Sequence, residues 1–104
     1  MNLSVYGFDW DAGNRQKCQN HGLSLREIEA FFRQNTLYVA PDLAHSDDEQ
    51  RFIAMGRSSA GHPMFVAFTL RGDKDKPLIR PISARYMHKR EVDKYEEAFP
   101  EDDK

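Results

Sequence analysis

With 104 residues, 39% of them hydrophobic and 31% charged, the chain holds one domain at most, able to bury about 65% of its unfolded surface. Its single Cys18 excludes an internal disulfide and a cysteine-based zinc site, and no apolar run approaches the roughly 20 residues of a membrane span. The formal charge of −2 argues against generic nucleic-acid binding, yet residues 96–104 carry five acids and one lysine, which leaves 14 basic against 12 acidic residues in 1–95.

The opening MNLSVYGFDWD lacks the basic-then-apolar layout of a signal peptide, so a cytoplasmic protein is expected. Residues 1–98 are expected to form a single domain and 99–104 an acidic, disordered tail. SVYGFDW alternates polar and apolar residues and predicts a short first strand. Asp11 can cap a helix running to about Asn20, with Gly22 as its left-handed stop. Ser24 and Glu27 then stand at the capping-box offset, and Leu23 and Ile28 at that of the hydrophobic staple. Leu25, Ile28, Phe31 and Phe32 keep helical spacing, which predicts an amphipathic helix over 25–34.

Beyond that helix the period changes to two. LYVA (37–40) predicts a short strand closed by Pro41, and AHSDDEQ a polar loop. RFIAMG (51–56) and MFVAFTL (64–70) predict strands joined by a glycine-containing connection of hairpin length. The second is apolar on both faces, which predicts a central strand covered on both sides. After the charged turn RGDKDK, LIRPISARYM (78–87) predicts the last strand. KREVDKYEEAF predicts a final helix with Val92, Tyr95 and Phe99 as its apolar stripe. The expected class is α+β, an antiparallel sheet with helices packed against it in the order β-α-α-β-β-β-β-α.

Three groups of residues could carry chemistry. The first helix places Asn14, Lys17, Cys18 and His21 on a common face, where a Lys and a His could bind phosphate or move a proton, since an imidazole titrates near neutrality. The loop acids match no metal-ligand spacing, and no metal is expected. Glu49 and Arg51, two apart in extended chain, point the same way and suit an ion pair. Arginines on strands are the stronger signal. Arg51, Ile53, Met55 and Arg57 share one face of their strand. In LIRPISARYM a regular ladder would send Arg80 and Arg85 to opposite faces. Pro81 implies an edge or a bulge, and a bulge between 80 and 83 would bring both to one face. Arginine suits phosphate because its planar fork donates bidentately and stays charged.

FDWD, NRQK and HGLS, then DDEQRFIAMGRSSAG, then PISARYMHKREVDKYEE resemble the BrnT family, the toxin halves of type II toxin–antitoxin modules. The likeness runs from about Gly7 to Glu97. It implies a RelE-like fold and RNA cleavage without metal or cofactor, inhibiting translation and growth. It also implies a ribbon-helix-helix, BrnA-like antitoxin that forms a hetero-oligomer with the chain and carries it to operator DNA, with no membrane involved. The resemblance covers Glu49 and Arg51, Arg57 and Ser58, Ser83 and Arg85, Arg90 and Glu91, and the His21–Gly22 step. Arg51 and Arg85, assisted by Arg80, are expected to stabilise phosphate charge, and His21 and Glu49 to transfer protons. Lys17, Arg57, Ser83 and Arg90 are expected to bind substrate. Asn20, where the family commonly has lysine, and Pro81 depart from the pattern. A second reading is a toxin-derived module without catalysis, whose arginines serve antitoxin or nucleic-acid binding.

Overall fold

The computed structural model describes residues 7–34, 36–45 and 49–100. Strand β1 is Gly7–Phe8, and the earlier part of the predicted first strand lies outside the described residues. Asp11 caps α1 (Ala12–Gln19) through a reciprocal box: its carboxylate accepts the Asn14 N–H at 3.0 Å, and Asn14 Oδ1 accepts the Asp11 N–H at 2.7 Å. Gly22 follows at φ +91, a left-handed conformation that an L side chain rarely adopts. Ser24 and Glu27 close the predicted box at the start of α2 (Leu25–Phe32), whose Ile28, Phe31 and Phe32 are buried. These two helices thus start where short polar side chains satisfy N–H groups that no helical turn can reach.

Four further strands follow: β2 (Tyr38–Pro41), β3 (Phe52–Arg57), β4 (Pro63–Asp73) and β5 (Lys76–Tyr86), and then α3 (Lys89–Ala98). The element order is the expected one, and the strands form a five-stranded sheet in the order β1-β5-β4-β3-β2. The expectation of an antiparallel sheet needs correction, because β1 pairs parallel to β5 through Gly7↔Leu78 and Phe8↔Ile79. The other three pairings are antiparallel. Adjacent strands joined by short connections must reverse direction. β1 and β5 are separated by most of the chain, so no hairpin imposes that reversal. The charged turn is also tighter than expected, for the β4–β5 ladder continues to Asp73↔Lys76.

One face of the sheet carries the core. Ala54, Met64, Val66, Phe68, Ile79 and Ala84 pack with Cys18, Leu23, Ile28, Phe31, Phe32 and Leu37 from the helical segment. Burying each large side chain contributes about 1.5–3 kcal/mol. The packing is close enough that a Cβ on Gly56 would lie 2.7 Å from Leu37 Cδ2 and 3.2 Å from Phe31 Cε1, so a side chain there would have to displace core side chains. Burial also raises the Cys18 thiol to about 11. A thiol reagent in neutral buffer is therefore expected to label Cys18 only after denaturation. Rapid labelling of the native protein would contradict this packing.

The opposite face is covered at one end only. There α3 buries Tyr95, and Phe99 stacks on Tyr38 with ring centroids 3.7 Å apart. β4 is central as expected, but its second face is not fully covered: Phe65 and Ala67 are half-buried. Of the expected acidic tail, residues 101–104 lie outside the described residues. Among those described, no helix is long and apolar enough to cross a membrane.

Candidate functional site

The half-open sheet face owes its chemistry to one extra residue. Phe68 stands opposite Pro81, but the preceding β4 residue, Ala67, stands opposite Ser83, so Ile82 is inserted into β5 as a bulge. Side chains alternate along a strand, and the insertion resets that alternation. Before it, Arg80 faces with Thr69; after it, Ser83 faces with Ala67 and Arg85 with Phe65. All three β5 side chains thereby share the face opposite the core.

The bulge is held by a residue whose role the sequence did not reveal. Asn14 Nδ2 donates to the Pro81 carbonyl and to the Asp9 carbonyl, each at 2.9 Å. Asn14 is 6% exposed, and together with its capping bonds it ties α1, the chain after β1 and the bulge into one unit. The only sequence signal was an asparagine three residues after a helix-capping aspartate. The expected common face of α1 accordingly divides. Asn14 and Cys18 turn inward, while Lys17 and His21 are exposed at the border of the open face.

Across that face run two rows of side chains, Ile53–Ala67–Ser83 and Met55–Phe65–Arg85. Of the hollows on this side, one lies on these rows and another beyond them, at the Arg80 end. One, of about 370 Å³, is lined by His21, Ile53, Phe65, Ala67, Ser83, Ala84 and Arg85. The other, of about 510 Å³, gathers Lys17, Glu49, Arg51, Arg71 and Arg80, beside Asp11, Asn14 and the bulge. Arg51 and Arg80 thus meet in one hollow, and Arg85 stands in the other. Four β4 positions separate their rows, from Thr69 to Phe65, or about 13 Å at ~3.3 Å per residue. The three arginines do not converge on a point.

Carboxylates orient these cations. Arg80 Nη2 donates to Asp11 at 2.7 Å, and Nη1 lies 3.5 Å from Asp9. The Asn14 backbone N–H and then Arg80 hold Asp11 below the usual carboxylate range. Arg85 grips Glu91 bidentately at 2.8 and 2.8 Å, donates to the Tyr86 carbonyl at 3.3 Å, and lies over the Phe65 ring at 4.9 Å. In the larger hollow Glu49 accepts from Arg71 at 3.0 Å. Arg57 is drawn away under α3, where it bonds Glu96 at 2.9 Å and the Gly61 carbonyl at 3.0 Å. Arg90 is exposed on the first turn of α3 and lines neither hollow.

Glu91 also accepts the His88 N–H at 2.8 Å. The Arg85 bonds first, and this backbone bond second, lower its pKa from 4.5 to about 2. A lowered carboxylate contributes stability that is complete above its unfolded value and is lost as pH falls through its folded one. Wild-type protein is therefore expected to lose stability between pH 4.5 and about 2 more steeply than Glu91→Gln, in denaturant melts at stepped pH. Parallel curves would contradict the pairing.

Among the described residues, no group of three or more His, Cys, Asp or Glu is placed to hold a metal ion. Asp47 and Asp48 of the polar loop lie outside the described residues. No curated protein matches the chain. A family model described as the ribonuclease toxin BrnT of type II toxin–antitoxin systems matches residues 10–91. That span takes in α1, α2, strands β2 to β5 and both hollows, and ends at the glutamate that holds Arg85. The chain therefore belongs to the BrnT family of ribonuclease toxins of type II toxin–antitoxin systems.

Proposed function

We propose that this chain is a metal- and cofactor-independent endoribonuclease of RelE-like fold, acting in the cytoplasm, and that RNA lies along its open sheet face. The observation that carries this reading is the Ile82 bulge, which turns Arg80, Ser83 and Arg85 toward one face, with Arg51 beside Arg80 in the larger hollow. In the proposed reaction a ribose 2′-oxygen attacks the adjacent phosphorus while the P–O5′ bond breaks. The 2′-hydroxyl proton passes to a base on the protein, and the leaving 5′-oxygen takes up a proton. Arg51 and Arg80, with Lys17 beside them, stabilise the charge that builds on the non-bridging oxygens. His21 and Glu49, one bordering each hollow, exchange the protons. Cleavage of cellular RNA in this way would inhibit translation and growth. A BrnA-like ribbon-helix-helix antitoxin would restrain the chain and bring the complex to operator DNA.

The competing reading is a binding module without catalysis. The carboxylates that already hold Arg80 and Arg85 favour it. Purified protein incubated with RNA in excess chelator separates the two. Fragments ending in 5′-hydroxyl and 2′,3′-cyclic phosphate support the enzyme. RNA that is bound but remains intact supports the module.

A further inference from the structure

Arg85 and Arg80 lie on one face, yet their surroundings suit different parts of a nucleotide. Both terminal nitrogens of Arg85 are engaged by Glu91, and one of them also donates to the Tyr86 carbonyl. A bidentate carboxylate cancels most of the guanidinium charge locally and occupies the fork that would otherwise grip a phosphate. Arg80 too is held by Asp9 and Asp11, but Lys17, Arg51 and Arg71 stand beside it. What Arg85 retains is its plane. One side lies over the Phe65 ring at 4.9 Å, and the side chain, 37% exposed, borders the smaller hollow. The floor there is apolar (Ile53, Phe65, Ala67), and the polar groups are the Ser83 hydroxyl and the His21 imidazole at its margin. The larger hollow is the reverse. Among the described residues four cations, Lys17, Arg51, Arg71 and Arg80, line it with Asp11 and Glu49, and such a cluster of cations suits a phosphate.

We propose that the smaller hollow is a site for one unpaired RNA base, with Arg85, backed by Phe65 and clamped by Glu91, as the plane on which that base stacks. The inference rests on the RNA-cleavage reading and adds to it a division of the face. The backbone is held at the Arg51–Arg80 end and a base at the Arg85 end. Single-stranded RNA is commonly read in this way, with splayed bases stacked on aromatic rings or guanidinium planes and hydrogen-bonded at their edges. An apolar floor with a few polar groups at its rim provides such a pocket.

The test uses the full chain and a short 2′-O-methyl RNA, which keeps its bases but has no free 2′-hydroxyl to attack. An abasic position is moved along the strand, and affinity is measured at each step. Wild-type protein is expected to show one position where base loss weakens binding by about 5- to 150-fold, the range of a single stack. Arg85→Lys keeps the charge and removes the plane, and it should reduce that penalty to under about twofold. Phe65→Leu, which keeps an apolar floor without the ring, should reduce it in the same direction. A flat abasic scan in wild-type protein that binds the RNA would overturn the base site and leave the RNA reading intact. An unchanged penalty in both variants would overturn the role of Arg85. Failure of wild-type protein to bind RNA at all would overturn both.

Discussion

Arg80→Ala is expected to slow RNA cleavage by about 10²–10³-fold, the usual effect of removing one preorganised donor from a transition state. Stability should fall by less than about 1 kcal/mol, because the ion pairs of Arg80 with Asp9 and Asp11 are partly solvated. The two effects separate for a physical reason. Arg80 is held in place by Asp11, at 2.7 Å, so no side-chain ordering is needed when charge develops on the phosphate. Its removal also leaves Asp11 facing the hollow, where it would repel phosphate. Arg80→Lys should fall between wild type and alanine, since an ammonium keeps the charge but not the fork. Initial cleavage rates and denaturant melts on the same preparations would decide the matter. Equal losses of rate and stability would reduce Arg80 to a structural residue.

Asn14→Leu is expected to cost about 2–4 kcal/mol, because it leaves the buried Pro81 carbonyl and the half-buried Asp9 carbonyl without their donor. It also opens the α1 capping box. For a domain whose total stability is of the order of 5–15 kcal/mol, this is a large fraction. Asn14→Asp should fare little better, since a carboxylate cannot donate to either carbonyl and would sit beside Asp11. Cleavage should fall with both variants even at temperatures where they remain folded, because Asn14 locks the bulge that aims Arg80. A variant with wild-type melting and wild-type rate would show that the bulge holds its shape without α1.

Much of this architecture was legible in short-range chemistry. The capping residues Asp11 and Ser24 mark two helix starts, and the change of period after Phe32 marks the passage to strands. Pro81 was informative because a missing N–H and a fixed φ are poorly suited to a regular ladder, and the bulge lies beside it at Ile82. What the sequence did not reveal depends on distant partners. The direction of β1 follows from where it meets β5, and alternation alone carries no sign of direction. The apolar run of β4 reads as covered on both sides, although α3 reaches only one end of its second face. The acids that hold Arg80 and Arg85 lie in other elements: Asp9 and Asp11 before α1, and Glu91 on α3. Asn14 resembles any helical polar residue until the Pro81 carbonyl is placed beside it.

Backbone amide chemical-shift mapping with the 2′-O-methyl RNA tests the position of the RNA most directly. The largest perturbations are expected on β3, β4 and β5 around Ile53, Ala67, Arg80 and Ser83, with α2 and β2 little changed. Perturbations centred on α2 and β2, with that face unchanged, would contradict an RNA site on the open side of the sheet.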